Sequence, residues 1–223
     1  MTWKKAFQTT RVRWTMCFWL VSLLFMFLYI PTFYSQIISP KEGYLIDDPL
    51  LNLFTPINWS VPIFTILYAA VIQTLLSSVN KPEVFILGAT TYCAVNILRV
   101  FTMYAITLDP PGGMIMLSDP ISSILYPDSG FAKDLFFSGH ISTIMIMVLV
   151  EKNTIAKISK IVGATLMGVF LAWQHVHYTI DLLAAPIITY WVFSKIQNML
   201  KFQNPPGLTN SGNNPLNALN REI

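Results

Sequence analysis

Long apolar runs separated by short polar turns recur from Trp14 to Ile196, and they constrain the fold more than any other feature. The runs are apolar all round. A transmembrane β-barrel would instead alternate apolar and polar residues along each strand. Backbone exposed to lipid must satisfy its hydrogen bonds internally, so such runs are helices. Only 11% of residues are charged and the mean hydropathy is +0.55, against about 25% charged in soluble domains. The expected fold class is therefore all-α: a polytopic membrane protein, a bundle of six transmembrane helices. The spans are Trp14–Tyr34, Trp59–Val79, Val84–Leu108, Phe136–Val150, Ile158–Trp173 and Tyr178–Ile196.

Three regions follow: a basic cytosolic N-terminus over 1–13, a membrane catalytic domain over 14–202 and a disordered cytosolic tail over 203–223. The basic start before the first span resembles a signal peptide. The run is long and aromatic and has no small-x-small cleavage site, so it reads as an uncleaved span. Cys17 and Cys93 both fall inside apolar runs, read as small buried residues outside any disulfide framework. The tail is rich in Asn, Pro and Gly and is expected to be disordered.

Six spans put both termini on one side. If that side is cytosolic it holds eleven Lys and Arg residues, and the far side holds three: Lys41, Arg99 and Lys133. That bias predicts an N-in, C-in topology. It puts His140, His175, His177 and Asp181 on the extracytosolic face.

Those residues carry the chemistry. "DLFFSGH", Asp134 to His140, opens the fourth span, and "HVHYTID", His175 to Asp181, opens the sixth. His177 and Asp181 are four apart, a spacing that shares a helix face. The carboxylate can fix the imidazole tautomer and leave the other nitrogen for nucleophilic or base chemistry. His140 supplies a second proton-transfer group. Ser138 and Gly139 precede it, where glycine permits close approach and helix N-terminal amides suit a phosphate. Ser138–Val150 has thirteen residues, or roughly 20 Å of helix, which recesses the site towards the level of a lipid phosphate. His175 reads as a packing or interhelix hydrogen-bonding residue. A zinc site of His140, His175, His177 and Asp181 is the rival reading, opposed by the i, i+2 spacing of His175 and His177.

With these residues in hand, the chain resembles the sphingomyelin synthase branch of the type 2 phosphatidic acid phosphatase superfamily. Three blocks agree in order: "RVFTMYAITLDPPG" from Arg99, "DLFFSGH" from Asp134 and "HYTID" from His177. The resemblance implies a His140, His177, Asp181 triad facing the lumen or exterior. By this likeness His177 is the nucleophile or base, Asp181 its orienter and His140 the partner acid or base. Arg99, Ser138, Gly139, Asp134 and Tyr178 complete the expected substrate-binding set. The implied reaction moves a phosphocholine or phosphoethanolamine headgroup from a glycerophospholipid to ceramide or a similar lipid alcohol, releasing diacylglycerol. No cofactor or metal is implied. The partners are the donor and acceptor lipids and the membrane, with no nucleic acid; oligomeric state stays open.

Departures from the branch are Ile141 in place of threonine, Lys133 before Asp134 where the branch usually has Cys-Gly, and Asp109 in place of an apolar residue or proline. A lipid phosphatase or phosphodiesterase using water is the alternative. The phosphatase branch carries further cations, including an arginine where this chain has Leu171, and those cations are missing here. A phosphodiester carries a single charge, which one arginine meets more readily.

Overall fold

A computed structural model describes residues 2–119 and 132–200. The expected tail over 203–223 and most of the loop after Asp119 lie outside the described residues.

Seven α-helices make up the described structure: α1 Trp3–Gln8, α2 Thr10–Phe33, α3 Ser60–Ser78, α4 Pro82–Ala105, α5 Gly139–Val150, α6 Thr154–Trp173 and α7 Thr179–Met199. Five segments are long and apolar enough to cross a membrane: Thr10–Ile38, Ser60–Ser78, Pro82–Ala105, Thr154–Trp173 and Thr179–Met199. With the shorter α5 they account for six spans.

Several boundaries differ from expectation: α4 runs Pro82–Ala105 rather than Val84–Leu108, and α6 starts at Thr154 rather than Ile158. α2 starts at Thr10 rather than Trp14 and continues as a π-turn over Tyr34–Ile38. Pro31, inside α2, has no N–H to donate, which loosens the ladder just before that turn. The fourth span starts at Gly139, not Phe136, because Ser138 is the N-cap and its hydroxyl accepts from the Ile141 amide. α1 had no counterpart in the reading of the N-terminus. It folds back so that the Trp3 indole donates to the Val79 carbonyl at 2.6 Å.

α5 has only twelve residues, or roughly 18 Å, well short of a ~30 Å hydrocarbon core. Its neighbours explain how it is tolerated. α3, α4, α6 and α7 all pack against it, so protein rather than lipid surrounds its ends. Ile141, Ile144 and Ile146 of α5 join Met167 and Leu171 of α6 and Ala185 and Val192 of α7 in the main core. α2 lies at the periphery against α4. Its Leu20, Val21, Phe27 and Leu28 are exposed, as suits a lipid-facing helix. Cys93 is buried, but Cys17 is exposed on α2, so the expectation of burial holds for one cysteine only.

The loops at one end of the bundle are tied together. Tyr44 and Leu108 form an isolated parallel bridge. Asp48 accepts from the Thr179 amide at 2.7 Å and its hydroxyl at 3.0 Å, capping α7 from a distant loop. Burial alone would raise the Asp48 carboxyl. The bonds from Thr179, Leu50 and Leu51 outweigh it and hold the group below its ordinary range.

Candidate active site

The starts of α5 and α7 meet. The Ser138 amide donates to the Asp181 carbonyl at 3.3 Å, stitching the two first turns together. His177 precedes α7 and does not sit on its ladder. Asp181 folds back as part of a capping box, its Oδ2 accepting the Tyr178 amide at 3.0 Å. That cap, rather than an i, i+4 helical register, brings His177 Nδ1 to 3.7 Å from Asp181 Oδ2. The distance is too long for a hydrogen bond. His177 Nδ1 and Asp181 Oδ1 are both buried without partners.

His140 faces His177 with ring centroids 6.4 Å apart and planes at 67°. Neither ring makes a hydrogen bond to another described residue. The edge of the Phe64 ring, 5.7 Å away, braces His140 from α3.

Arg99 of α4 completes the group. Its Nη2 lies 2.7 Å from both Asp134 oxygens, and its Nε donates to the Phe137 carbonyl at 3.1 Å. A Cβ on Gly139 would overlap the Arg99 guanidinium. The close approach that glycine permits here is therefore made by arginine. Asp134 holds the cation across the helix start, which answers why a carboxylate sits six residues before His140.

A cavity of about 720 Å³ opens beside these groups, with Arg99, Asp134, Gly139, His140 and His177 in its wall. Three expected site residues lie behind that wall. Ser138 is fully buried and caps α5. Asp181 is fully buried behind His177. Tyr178 is buried in a satellite core and donates to the Asp109 carbonyl at 2.9 Å. It is expected among the substrate-binding residues; here it lies outside the cavity wall and holds a loop.

Lys133 pairs with Asp109 at 2.9 Å and donates to the Lys41 carbonyl at 2.6 Å, away from the cavity wall. His175 turns the chain in the left-handed region at φ 56°. Its ring nitrogens lie 2.8 Å from the Gly112 carbonyl and 3.1 Å from that of Leu51. It is a hydrogen-bonding residue as expected, but it ties loops rather than two helices, and the four-residue zinc constellation is not assembled. No group of three or more His, Cys, Asp or Glu side chains is placed to hold a metal among the described residues.

Sequence reasoning missed two contributors. Gln174 is fully buried and acts as a hub. Its Oε1 accepts the Trp59 amide at 2.7 Å, and its Nε2 donates to Ser60 Oγ at 3.1 Å and the Ile115 carbonyl at 3.0 Å. A glutamine beside tryptophan in an apolar stretch was the available signal. Asp119 accepts from the Tyr68 hydroxyl at 2.5 Å on the cavity wall. Nothing local distinguished it from other loop carboxylates.

The fold and site describe a polytopic helical membrane protein with two facing histidines and an arginine at the polar end of an apolar cavity. Residues 133–199, which span α5 to α7, match the family model described as PAP2 superfamily C-terminal. The match supports the type 2 phosphatidic acid phosphatase superfamily, whose members are typically phosphatases and phosphotransferases, and an activity of that broad type. It covers under a third of the chain and assigns no branch. No curated protein matches the chain.

Proposed function

We propose that the protein is a phosphotransferase that moves a phosphocholine or phosphoethanolamine headgroup from a glycerophospholipid to ceramide or a similar lipid alcohol. One observation carries this reading. The rings of His140 and His177, which make no hydrogen bond to another described residue, face each other in the wall that also holds Arg99, where a hydrocarbon-lined cavity meets the polar end of the bundle. A lipid has that same division, with an apolar body and a phosphate at one end.

In this scheme His177 Nε2 attacks phosphorus, and Arg99 offsets the charge gathering on the phosphoryl oxygens. The glyceryl oxygen leaves as the P–O bond breaks and takes a proton from His140, giving diacylglycerol. The acceptor hydroxyl then attacks the phosphohistidine, returning its proton to His140 and freeing His177. Asp181 stabilises the imidazolium. Its 3.7 Å gap to Nδ1 is of the kind that tightens once substrate binds. Among the described residues Arg99 is the single Lys or Arg on the cavity wall. That supports a donor phosphate of one negative charge over a phosphomonoester.

The test is purified protein with phosphatidylcholine or phosphatidylethanolamine, with and without ceramide. With ceramide, diacylglycerol and a phosphosphingolipid should form together over many turnovers; without it, diacylglycerol should stop at a burst of no more than about one equivalent per enzyme. Headgroup release that ignores ceramide would replace transfer with hydrolysis.

The Lys and Arg asymmetry supports an extracytosolic site with both termini cytosolic. A cysteine introduced at Glu42, which is exposed, should react with an impermeant maleimide on intact cells. Reaction only after permeabilisation would reverse the orientation.

A further inference from the structure

The cavity extends far beyond the histidines. On α5 its wall is one helical stripe: Gly139, His140, Thr143, Ile146, Met147 and Val150. The ten helical steps from His140 to Val150 correspond to roughly 15 Å of depth. On α4 the wall runs from Arg99 through Asn96 and Tyr92 to Gly88 and Phe85. Past Arg99, Asp119, Asp134 and the histidines, no charged side chain lines it among the described residues.

The space exists because consecutive helices splay. α3 and α4 make few contacts with each other, and α2 lies along α4 while scarcely touching α3. Trp19 and Leu23 of α2 form part of the wall. The gap between α2 and α3 therefore faces sideways, towards lipid.

Gly88 stands near the deep end. A Cβ there would meet one atom, Val150 Cγ1, at an ordinary 3.5 Å. Nothing in the packing forbids a side chain, and glycine destabilises a helix interior relative to alanine. What a side chain would take is the deep end of the cavity.

We propose that this cavity seats one hydrocarbon chain of the lipid whose headgroup lies at His140, and that Gly88 sets the depth the chain reaches. The proposal rests on the lipid-headgroup reading of the site. Three features select a chain as occupant: the wall is continuous with the histidines, its deep part is uncharged, and its open side faces the bilayer. The volume, about 720 Å³, falls within the ~300–1,000 Å³ range of small-molecule sites.

Two measurements test it. The first compares Gly88→Ala, Gly88→Val and Gly88→Phe on dioctanoyl and dipalmitoyl phosphatidylcholine in the same detergent micelles, with ceramide constant. The ratio of kcat/KM for the long donor to that for the short one should fall in that order. Gly88→Phe should lower it by about tenfold or more. A ratio indifferent to the size of residue 88 would overturn the chain seat and leave headgroup transfer standing.

The second needs no turnover. A palmitoyl phosphatidylcholine with a diazirine at its chain terminus, photolysed on the wild-type protein, should label Phe85–Ala89 and Met147–Val150. Labelling confined to Leu20, Val21 and Leu24 on the outside of α2 would overturn the proposal. Deep labelling in a protein that turns over no lipid would support the seat and remove the transferase reading.

Discussion

The two ends of the bundle each carry a partly or fully buried ion pair, and they treat it differently. At one end Glu151 and Lys160 meet at 2.6 Å with side chains only 8% and 2% exposed. The other Glu151 oxygen accepts the amides of Lys152 and Asn153, both at 2.9 Å. Burial would raise the Glu151 carboxyl, but Lys160 and these amides outweigh it and hold it below its ordinary range. At the other end Arg99 and Asp134 pair at 2.7 Å beside an open cavity. There His177 Nδ1 and Asp181 Oδ1 are buried with no partner. Buried polar atoms are nearly always hydrogen-bonded, and those left over call for a reason. The matched pair closes one helix end. The unmatched atoms belong to the His177–Asp181 pair, whose histidine ring lines the cavity.

The largest effect should come from the unmatched end. His177→Ala should lower turnover by roughly a thousandfold while the unfolding midpoint in detergent stays close to wild type, since its ring makes no hydrogen bond to lose. Asp181→Asn keeps an oxygen for the Tyr178 amide, so the cap survives while the charge goes. Its turnover should fall by about a hundredfold with the fold retained. Near-normal turnover in either variant, at matched protein levels, would remove the triad reading.

The matched end should behave the opposite way. Lys160→Met strips a buried carboxylate of its cation and should cost about 3 kcal/mol of stability. Activity per folded molecule should be unaltered. Adding Glu151→Gln should recover much of the loss, because a neutral pair carries no stranded charge. If Lys160→Met instead reduces turnover without lowering the unfolding midpoint, the division between the two ends fails.

How much of this was legible in the sequence depends on how local each cause is. Apolar length and missing alternation were enough for the all-helical fold and the six spans. The triad residues stood out because polar groups at the start of apolar runs are rare. What brings them together is less local. His177 reaches Asp181 through a cap that turns on the exact start of α7, a boundary hydropathy does not resolve. Arg99 lies against Gly139 forty residues away, and only packing shows that the glycine admits an arginine. The cavity left no sequence trace, because an apolar residue reads the same whether it faces lipid, core or an open groove. Tyr178 sits inside a site-like motif, yet its hydroxyl ties a loop.

Asp48 provides the smallest and most specific test of that longer-range order. It caps α7 across 131 residues of sequence, accepting both the amide and the hydroxyl of Thr179. Losing an N-cap costs about 1 kcal/mol, so Asp48→Ala should lower the unfolding midpoint slightly. The first turn of α7 orients Asp181, so turnover should fall a few-fold, with kcat more affected than KM. The pH dependence gives a second signature. The folded Asp48 carboxyl is held below its unfolded value, so its contribution is fully present above the unfolded pKa, about 4. It fades as pH falls through the folded value. Wild type and Asp48→Ala should therefore differ in midpoint at pH 6, and the difference should start to shrink near about pH 4 and narrow further as pH falls through the lower folded value. A constant difference across that range would mean that the Asp48 charge does not stabilise the cap, and that shape alone holds the start of α7 in place.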